Sequence, residues 1–529
     1  MSAQRLRVAA PTERAPAQLP VTMSRAQRDL AGQVRVLTCG SVDDGKSTLI
    51  GRLLWDASDL FEDQRATLRK SSRRVLDGTH LDYSLLVDGL MAEREQGITI
   101  DIAWRYFDTA ERRFTIIDSP GHTQYTRNMA SGASHADVAV MLIDARHGIK
   151  AQTKRHAALL DLFGVRRVIL AVNKMDLAGW SEARFREIEA DFGSLIRRFR
   201  FVATTAIPVA AVMGDNVARR SREMPWYSGP TLLEQLNRSQ PVTRETARDH
   251  AAPFRMPVQM VLRDGQDFRG LAGTVASGHV SVGDVITDDR GQVSATVARI
   301  STMTGDLPSA RRGQAVALVL DRDIDVSRGA VLSASGTPPV AAQSVETRLV
   351  WLSETAFDPK LRYLLRTATD VAPIADFAIQ SLLDLETLGQ QPANNCAAND
   401  IALATLTLAK PTAVDAFSSC PETGSFVIVD PISGATVAGG VVVSASAHKT
   451  GLHTTGAHTT VARTIGARRP AVNTVFHLTR ALLESGVCAD LAGRPGTQAE
   501  FARRSTAVAA LLRSAGVDVV EPSQTEVSG

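Results

Sequence analysis

Gly40-Ser41-Val42-Asp43-Asp44-Gly45-Lys46-Ser47-Thr48 is the stretch on which the reading of this chain turns. Before it, Val34-Arg35-Val36-Leu37-Thr38-Cys39 reads as a buried parallel strand. After it, Leu49-Ile50-Gly51-Arg52-Leu53-Leu54-Trp55 repeats apolar residues at helical spacing. A G-x-x-x-x-G-K-S sequence between a strand and a helix is a phosphate site. Glycines at 40 and 45 let the backbone from Ser41 to Thr48 curl with its N–H groups facing phosphate oxygens. The helix start adds the positive end of its dipole. Lys46 is expected on the β- and γ-phosphates, and the Ser47 hydroxyl on Mg²⁺.

Working outward, strands and helices alternate from Val34, which predicts a parallel α/β sheet. Arg113-Phe114-Thr115-Ile116-Ile117-Asp118 is a strand that ends in Ser119-Pro120-Gly121-His122. A second spans residues 137–144, and a third, residues 167–172, ends at Asn173-Lys174-Met175-Asp176. Each motif sits at the carboxyl end of a strand, where open α/β sheets bind ligands. Asp118 is placed to hold the Mg²⁺ shell through water. Gly121, lacking a side chain, offers its N–H to the γ-phosphate at close range. The Asp176 carboxylate can accept guanine's two N–H donors, whereas adenine would leave it unpaired. These features predict GTP rather than ATP.

Length and composition set the frame. At 529 residues the chain exceeds one core, and 44% hydrophobic with 22% charged residues marks a globular protein. The net charge of +3, from 59 basic and 56 acidic residues, gives no sign of nucleic-acid binding. Cysteines at 39, 396, 420 and 488 show no metal spacing, and a reducing cytoplasm fits them. No stretch approaches a membrane span.

Residues 1–32 read as a flexible leader without a secretory signal, and 33–240 as the GTP-binding α/β domain. Short β-rich runs then predict a small barrel over 253–335 and a second β-rich unit over 344–445. A His-, Thr- and Gly-rich linker over 446–469 precedes a helical or α/β tail over 470–529.

The motifs, together with Glu93-Arg94-Glu95-Gln96-Gly97-Ile98-Thr99-Ile100-Asp101, resemble translational GTPases of the elongation factor Tu/1A type. More specifically they resemble the large, GTPase subunit of bacterial sulfate adenylyltransferase. The features favouring that family are Gly40-Ser41-Val42-Asp43-Asp44-Gly45-Lys46, Leu86-Val87-Asp88-Gly89-Leu90, Met224-Pro225-Trp226-Tyr227-Ser228-Gly229-Pro230 and Asp267-Phe268-Arg269-Gly270. The resemblance implies a GTPase domain followed by two β-barrels. It also implies a heterodimer with a smaller subunit that holds ATP and sulfate and makes adenylyl sulfate. Thr99 is then the switch threonine on Mg²⁺, His122 positions the attacking water, and Lys46 and Gly121 complete the catalytic set. Asn173, Lys174, Asp176 and the Ala211 N–H would read guanine. Where the family has serine–alanine, this chain reads Ala210-Ala211, without the hydroxyl. The tail faintly resembles an adenylylsulfate kinase that has lost its phosphate loop. The rival reading is a translation factor carrying aminoacyl-tRNA, which calls for a more basic surface.

Overall fold

In the computed structural model, the described residues are 33–57, 81–87, 99, 101–239, 252–264, 268–289 and 291–447. The leader, the linker and tail readings, and the switch stretch apart from Thr99 and Asp101 lie outside them.

The first part is a six-stranded sheet. β1 (Gln33–Cys39) and α1 (Lys46–Ala57) are followed by β2 (Ala103–Asp108), β3 (Arg113–Asp118) and α2 (Thr126–His135). Then come β4 (Val138–Asp144), α3 (Ala151–Leu162), β5 (Arg167–Asn173), α4 (Glu182–Ile196), β6 (Ala203–Pro208) and α5 (Leu232–Arg238). Strand order is β2-β3-β1-β4-β5-β6, with only the edge strand β2 antiparallel to its neighbour. Helices on both faces explain why the strands read as continuous apolar runs. All seven residues of β4 are buried. The two-residue period of each strand splits its side chains between faces. Leu37, Ile117, Met141 and Leu170 build one core, and Val36, Ile116, Val140 and Ile169 the other. The phosphate loop, the turn after β3 and the turn after β5 therefore meet at one sheet end.

Beyond the helical part the described residues form antiparallel β-structure. Strands between Arg255 and Ala334 wrap around Met256, Leu271, Ile300, Leu318 and Leu332. The next unit opens at Val340, four residues ahead of the expected 344, because Val340 pairs with Val414. Leu364–Arg366 pairs on one side with Val371–Leu383 and on the other with Ser425–Val429, which closes a six-strand barrel. Trp351, 1% exposed, centres its core, with the rings of Phe357 and Tyr363 at 5.7 and 5.9 Å.

Two buried carboxylates join these parts. Asp161 on α3 holds Arg166 at 3.0 Å, Arg200 at 3.1 Å and, from the closed barrel, Arg348 at 3.1 Å. Asp415 holds Arg255 through two contacts at 2.9 and 3.0 Å and accepts the Thr423 hydroxyl at 2.7 Å. Buried charges are tolerated here because each is paired and hydrogen-bonded.

His156, on α3, is a buried imidazole in less comfortable surroundings. It is 1% exposed, and its Nδ1 has no hydrogen-bond partner among the described residues. Burial, with Lys46 and Arg155 adding repulsion, pushes its pKa down to about 3. A depressed pKa means that the unfolded chain binds the proton first, so stability is present above about pH 6.5 and lost as pH falls toward 3. The contribution lost between about pH 6.5 and 5.5 is roughly 1 kcal/mol. His156→Gln should flatten urea-unfolding free energies across that window. An unchanged slope would show that another group carries the acid sensitivity.

Candidate functional site

The phosphate loop leaves β1 at Gly40 and enters α1 at Lys46. Asp43 at φ +66° and Gly45 at φ +92° provide the left-handed turns that curl it. Asp44, buried, accepts the Ser41 N–H on Oδ2 at 2.7 Å and so staples the curl from within. Lys46 folds its ammonium back onto the Gly40 and Ser41 carbonyls, at 3.1 and 2.9 Å. Burial lowers the Lys46 pKa, while Asp118 and Asp44 pull it back up. A buried ammonium that has only carbonyl dipoles as hydrogen-bond acceptors is well matched to an incoming polyanion.

Asp118 closes β3 with no exposed surface. The Thr38 hydroxyl donates to its Oδ1 at 3.1 Å, and the Thr99 hydroxyl reaches its Oδ2 at 3.5 Å. Thr99 and the β3 carboxylate thus stand side by side. At Gly121 a Cβ would sit 2.7 Å from the Gly40 carbonyl and against the Lys46 ammonium, so no side chain fits there. His122 follows, exposed, and caps a short 3₁₀ turn by accepting the Gln124 N–H on Nδ1 at 3.3 Å. Lys46, Ser47, Thr99, Gly121, His122 and Lys174, among others, line one cleft of about 290 Å³.

The base end is built on β5. Asn173, 2% exposed, donates Nδ2 to the Asp44 carbonyl at 2.8 Å, tying the two loops together. Its Oδ1 accepts the Ala211 N–H at 3.0 Å. The Ala211 N–H, expected to meet the guanine carbonyl, is thus also a donor to Asn173. Ala210, lacking the family hydroxyl, is held by main-chain bonds instead, its N–H to Asp215 at 3.2 Å and its carbonyl from Gly214 at 2.8 Å. Lys174, at φ +61°, places its ammonium on the Asp43 carbonyl and 3.2 Å from Asp144. Asp176 stands half-buried in the short turn Met175–Ala178.

Three contributors escaped sequence reasoning. Ser84 lines the cleft, its hydroxyl donating to Asp82 at 2.6 Å, and no motif marks it. Lys150 places its ammonium 3.5 Å from Asp44 across the phosphate loop. Trp226, picked out only as a family feature, donates its indole N–H to the Trp180 carbonyl at 3.1 Å. Trp180 in turn donates its N–H to the Met175 carbonyl at 2.8 Å, so Trp226 steadies the turn that carries Asp176. Trp226→Phe keeps most of the ring and removes that donor. GTP affinity by calorimetric titration should fall about fivefold, the worth of one net hydrogen bond near 1 kcal/mol. Unchanged affinity would show that the turn holds without it.

Comparison with known proteins agrees with this geometry. Residues 32–242 match the elongation factor Tu GTP binding domain, and residues 344–443 the GTP-eEF1A C-terminal domain-like family. The chain is 47% identical over 415 residues to sulfate adenylyltransferase subunit 1 of Methylorubrum populi, covering 78% of this chain and 87% of that one. To the subunit 1 of Shewanella oneidensis it is 45% identical over 426 residues, covering 79% and 87%. Against bifunctional enzyme NodQ of a Rhizobium species it is 45% identical over 419 residues, covering 79% of this chain but spanning only 64% of NodQ. On an elongation factor Tu-type GTP-binding fold, this chain belongs to the sulfate adenylyltransferase subunit 1 family.

Proposed function

We propose that this protein is the GTP-hydrolysing subunit of a sulfate adenylyltransferase. It couples GTP hydrolysis to formation of adenylyl sulfate and pyrophosphate from ATP and sulfate, on a smaller partner subunit. The observation that carries the GTP site is the tie between its two ends: Asn173 bridges the Asp44 carbonyl and the Ala211 N–H, so base-reading and phosphate-binding loops form one rigid unit. Lys46, Gly121 and the loop N–H groups would take the phosphates, and Asp176 the guanine edge. Thr99 and His122 would answer to the γ-phosphate and the attacking water.

The Thr99 and Ser47 hydroxyls on the cleft, with the Asp118 carboxylate beside Thr99 to act through water, are hard donors that suit Mg²⁺. Bound there, Mg²⁺ would neutralise charge on the phosphate oxygens. Adenylyl sulfate formation from ATP and sulfate is strongly uphill, which gives a second nucleotide's hydrolysis a thermodynamic purpose.

Three described cysteines, Cys39, Cys396 and Cys420, are free and buried. Burial pushes the Cys39 thiol up to about 12, so it stays an inert thiol. A cytoplasmic location suits such a chain. Among the described residues no helix is long and apolar enough to cross a membrane. The decisive experiment is affinity capture from a native extract of a sulfate-assimilating cell. A small ATP-binding subunit should co-purify, and it should restore adenylyl sulfate synthesis when added back. Capture of tRNA and ribosomes in its place would support the translation-factor reading.

A further inference from the structure

β4 and β5 run side by side with Asp144 opposite Asn173, and the Ala145 N–H donates to the Asn173 carbonyl at 2.9 Å. The turn after β4 therefore lies against the stretch that ends in Asp176. Asp144 is 1% exposed, yet it holds two cations. The Arg146 guanidinium forks onto it, Nη2 to Oδ2 at 2.6 Å and Nε to Oδ1 at 3.0 Å. The Arg146 main-chain N–H adds a third bond to Oδ1 at 2.9 Å. Lys174 Nζ approaches the same Oδ2 at 3.2 Å. From α4, Arg184 donates Nε to the Ala145 carbonyl at 2.7 Å, which fixes the turn itself. Burial works against the Asp144 charge, but Arg146 and Lys174 outweigh it and hold the carboxyl well below the usual carboxylate range. Arg146, partly exposed, also feels the charge of Asp176. The turn that carries Arg146 is hydrogen-bonded to the start of the stretch that carries Asp176.

To read guanine, Asp176 must present both carboxylate oxygens to a pair of N–H donors. An arginine carries a similar fork of parallel donors, with a full positive charge behind it, and such charge-assisted pairs are roughly twice as strong as neutral ones. An unrestrained Arg146 would therefore compete with the base for Asp176. We propose that Asp144 is a positioning residue for nucleotide recognition, acting through Arg146. It holds the guanidinium, together with the Lys174 ammonium, away from Asp176 and so leaves that carboxylate open to guanine. The inference rests on the guanine-reading role given to Asp176 above.

The test is a GTP titration of the full chain, with circular dichroism on every variant. The wild type binds GTP and Asp176→Asn weakens it; failure of either sinks the guanine reading itself, separately from the role of Asp144. With that established, Asp144→Asn lowers GTP affinity about tenfold or more by releasing Arg146 onto Asp176. Asp144→Glu, which keeps the charge, retains most of the affinity. Arg146→Ala alone binds within about twofold of wild type, because the guarded group is gone. The double variant Asp144→Asn/Arg146→Ala regains most of what the first lost, an outcome that general damage to the strand end does not produce. An unaffected Asp144→Asn protein, or a double variant as weak as Asp144→Asn, overturns the proposal. If Asp144→Asn fails to fold and the double variant folds, GTP affinity near that of Arg146→Ala supports the guard, and much weaker binding overturns it. If neither folds, Asp144 is a structural residue and the proposal falls.

Discussion

Asp176→Asn will convert a GTP-selective protein into one that prefers xanthosine triphosphate. Guanine presents N–H donors at N1 and at its exocyclic N2, and a carboxylate accepts both. An amide at position 176 keeps one acceptor but turns the other edge into an N–H donor, which faces guanine's own donor. That leaves two buried donors opposed, each costing about 1–3 kcal/mol. GTP affinity should therefore fall about 10²- to 10³-fold. Xanthine carries a carbonyl where guanine carries N2, so the amide gains the acceptor it needs. The turn itself survives the change, since its fixed points are the Met175 and Trp180 main chain and the Trp226 indole, not the 176 side chain. Parallel titrations with GTP and xanthosine triphosphate decide it. Equal GTP affinity in wild type and variant would remove Asp176 from the base site.

The residues proposed for phosphate and base could be named from sequence because each sits in a short contiguous motif with a local mechanism. Gly40 and Gly45 flank a curl that the backbone must make, Asp118 is the last residue of one predicted apolar strand, and Asn173 follows directly on another. What was not legible depends on partners far apart in the chain. Asp144 reads as the polar end of a strand, and only the pairing of β4 with β5 reveals that it holds Lys174 as well as Arg146. Lys150, at the start of α3, carries no motif, and only the fold brings it to Asp44. Ala211 shows the same limit in reverse, since a motif predicts that its N–H is near the base but not that Asn173 already accepts it. The resemblance implies a barrel there, but the strand that closes it was equally hidden. The strand Leu364–Arg366 is three residues long, and no periodicity marks so short a piece as the one that joins both ends of the sheet.

His122→Ala is expected to lower GTP turnover about 10²-fold or more in the reconstituted complex, in line with loss of a positioned catalytic group. The ring stands exposed at the cleft, one residue beyond Gly121, whose position leaves no room for a side chain beside Lys46. Because Nδ1 accepts the Gln124 N–H, the neutral ring carries its proton on Nε2. It therefore presents a donor that orients a water oxygen, which suits a reaction governed by positioning and charge rather than by covalent chemistry. GTP binding should stay nearly intact, since Lys46, Asn173 and Asp176 keep their contacts. Alone, the chain should hydrolyse GTP slowly, and its partner with ATP and sulfate should raise the rate as Thr99 and His122 are brought into one geometry. The paired measurement is phosphate release and adenylyl sulfate formation, with and without GTP. Adenylyl sulfate output should follow GTP turnover down in the variant. Output identical with and without GTP, or a His122 variant that keeps both activities, would show that hydrolysis at this cleft does not drive sulfate activation.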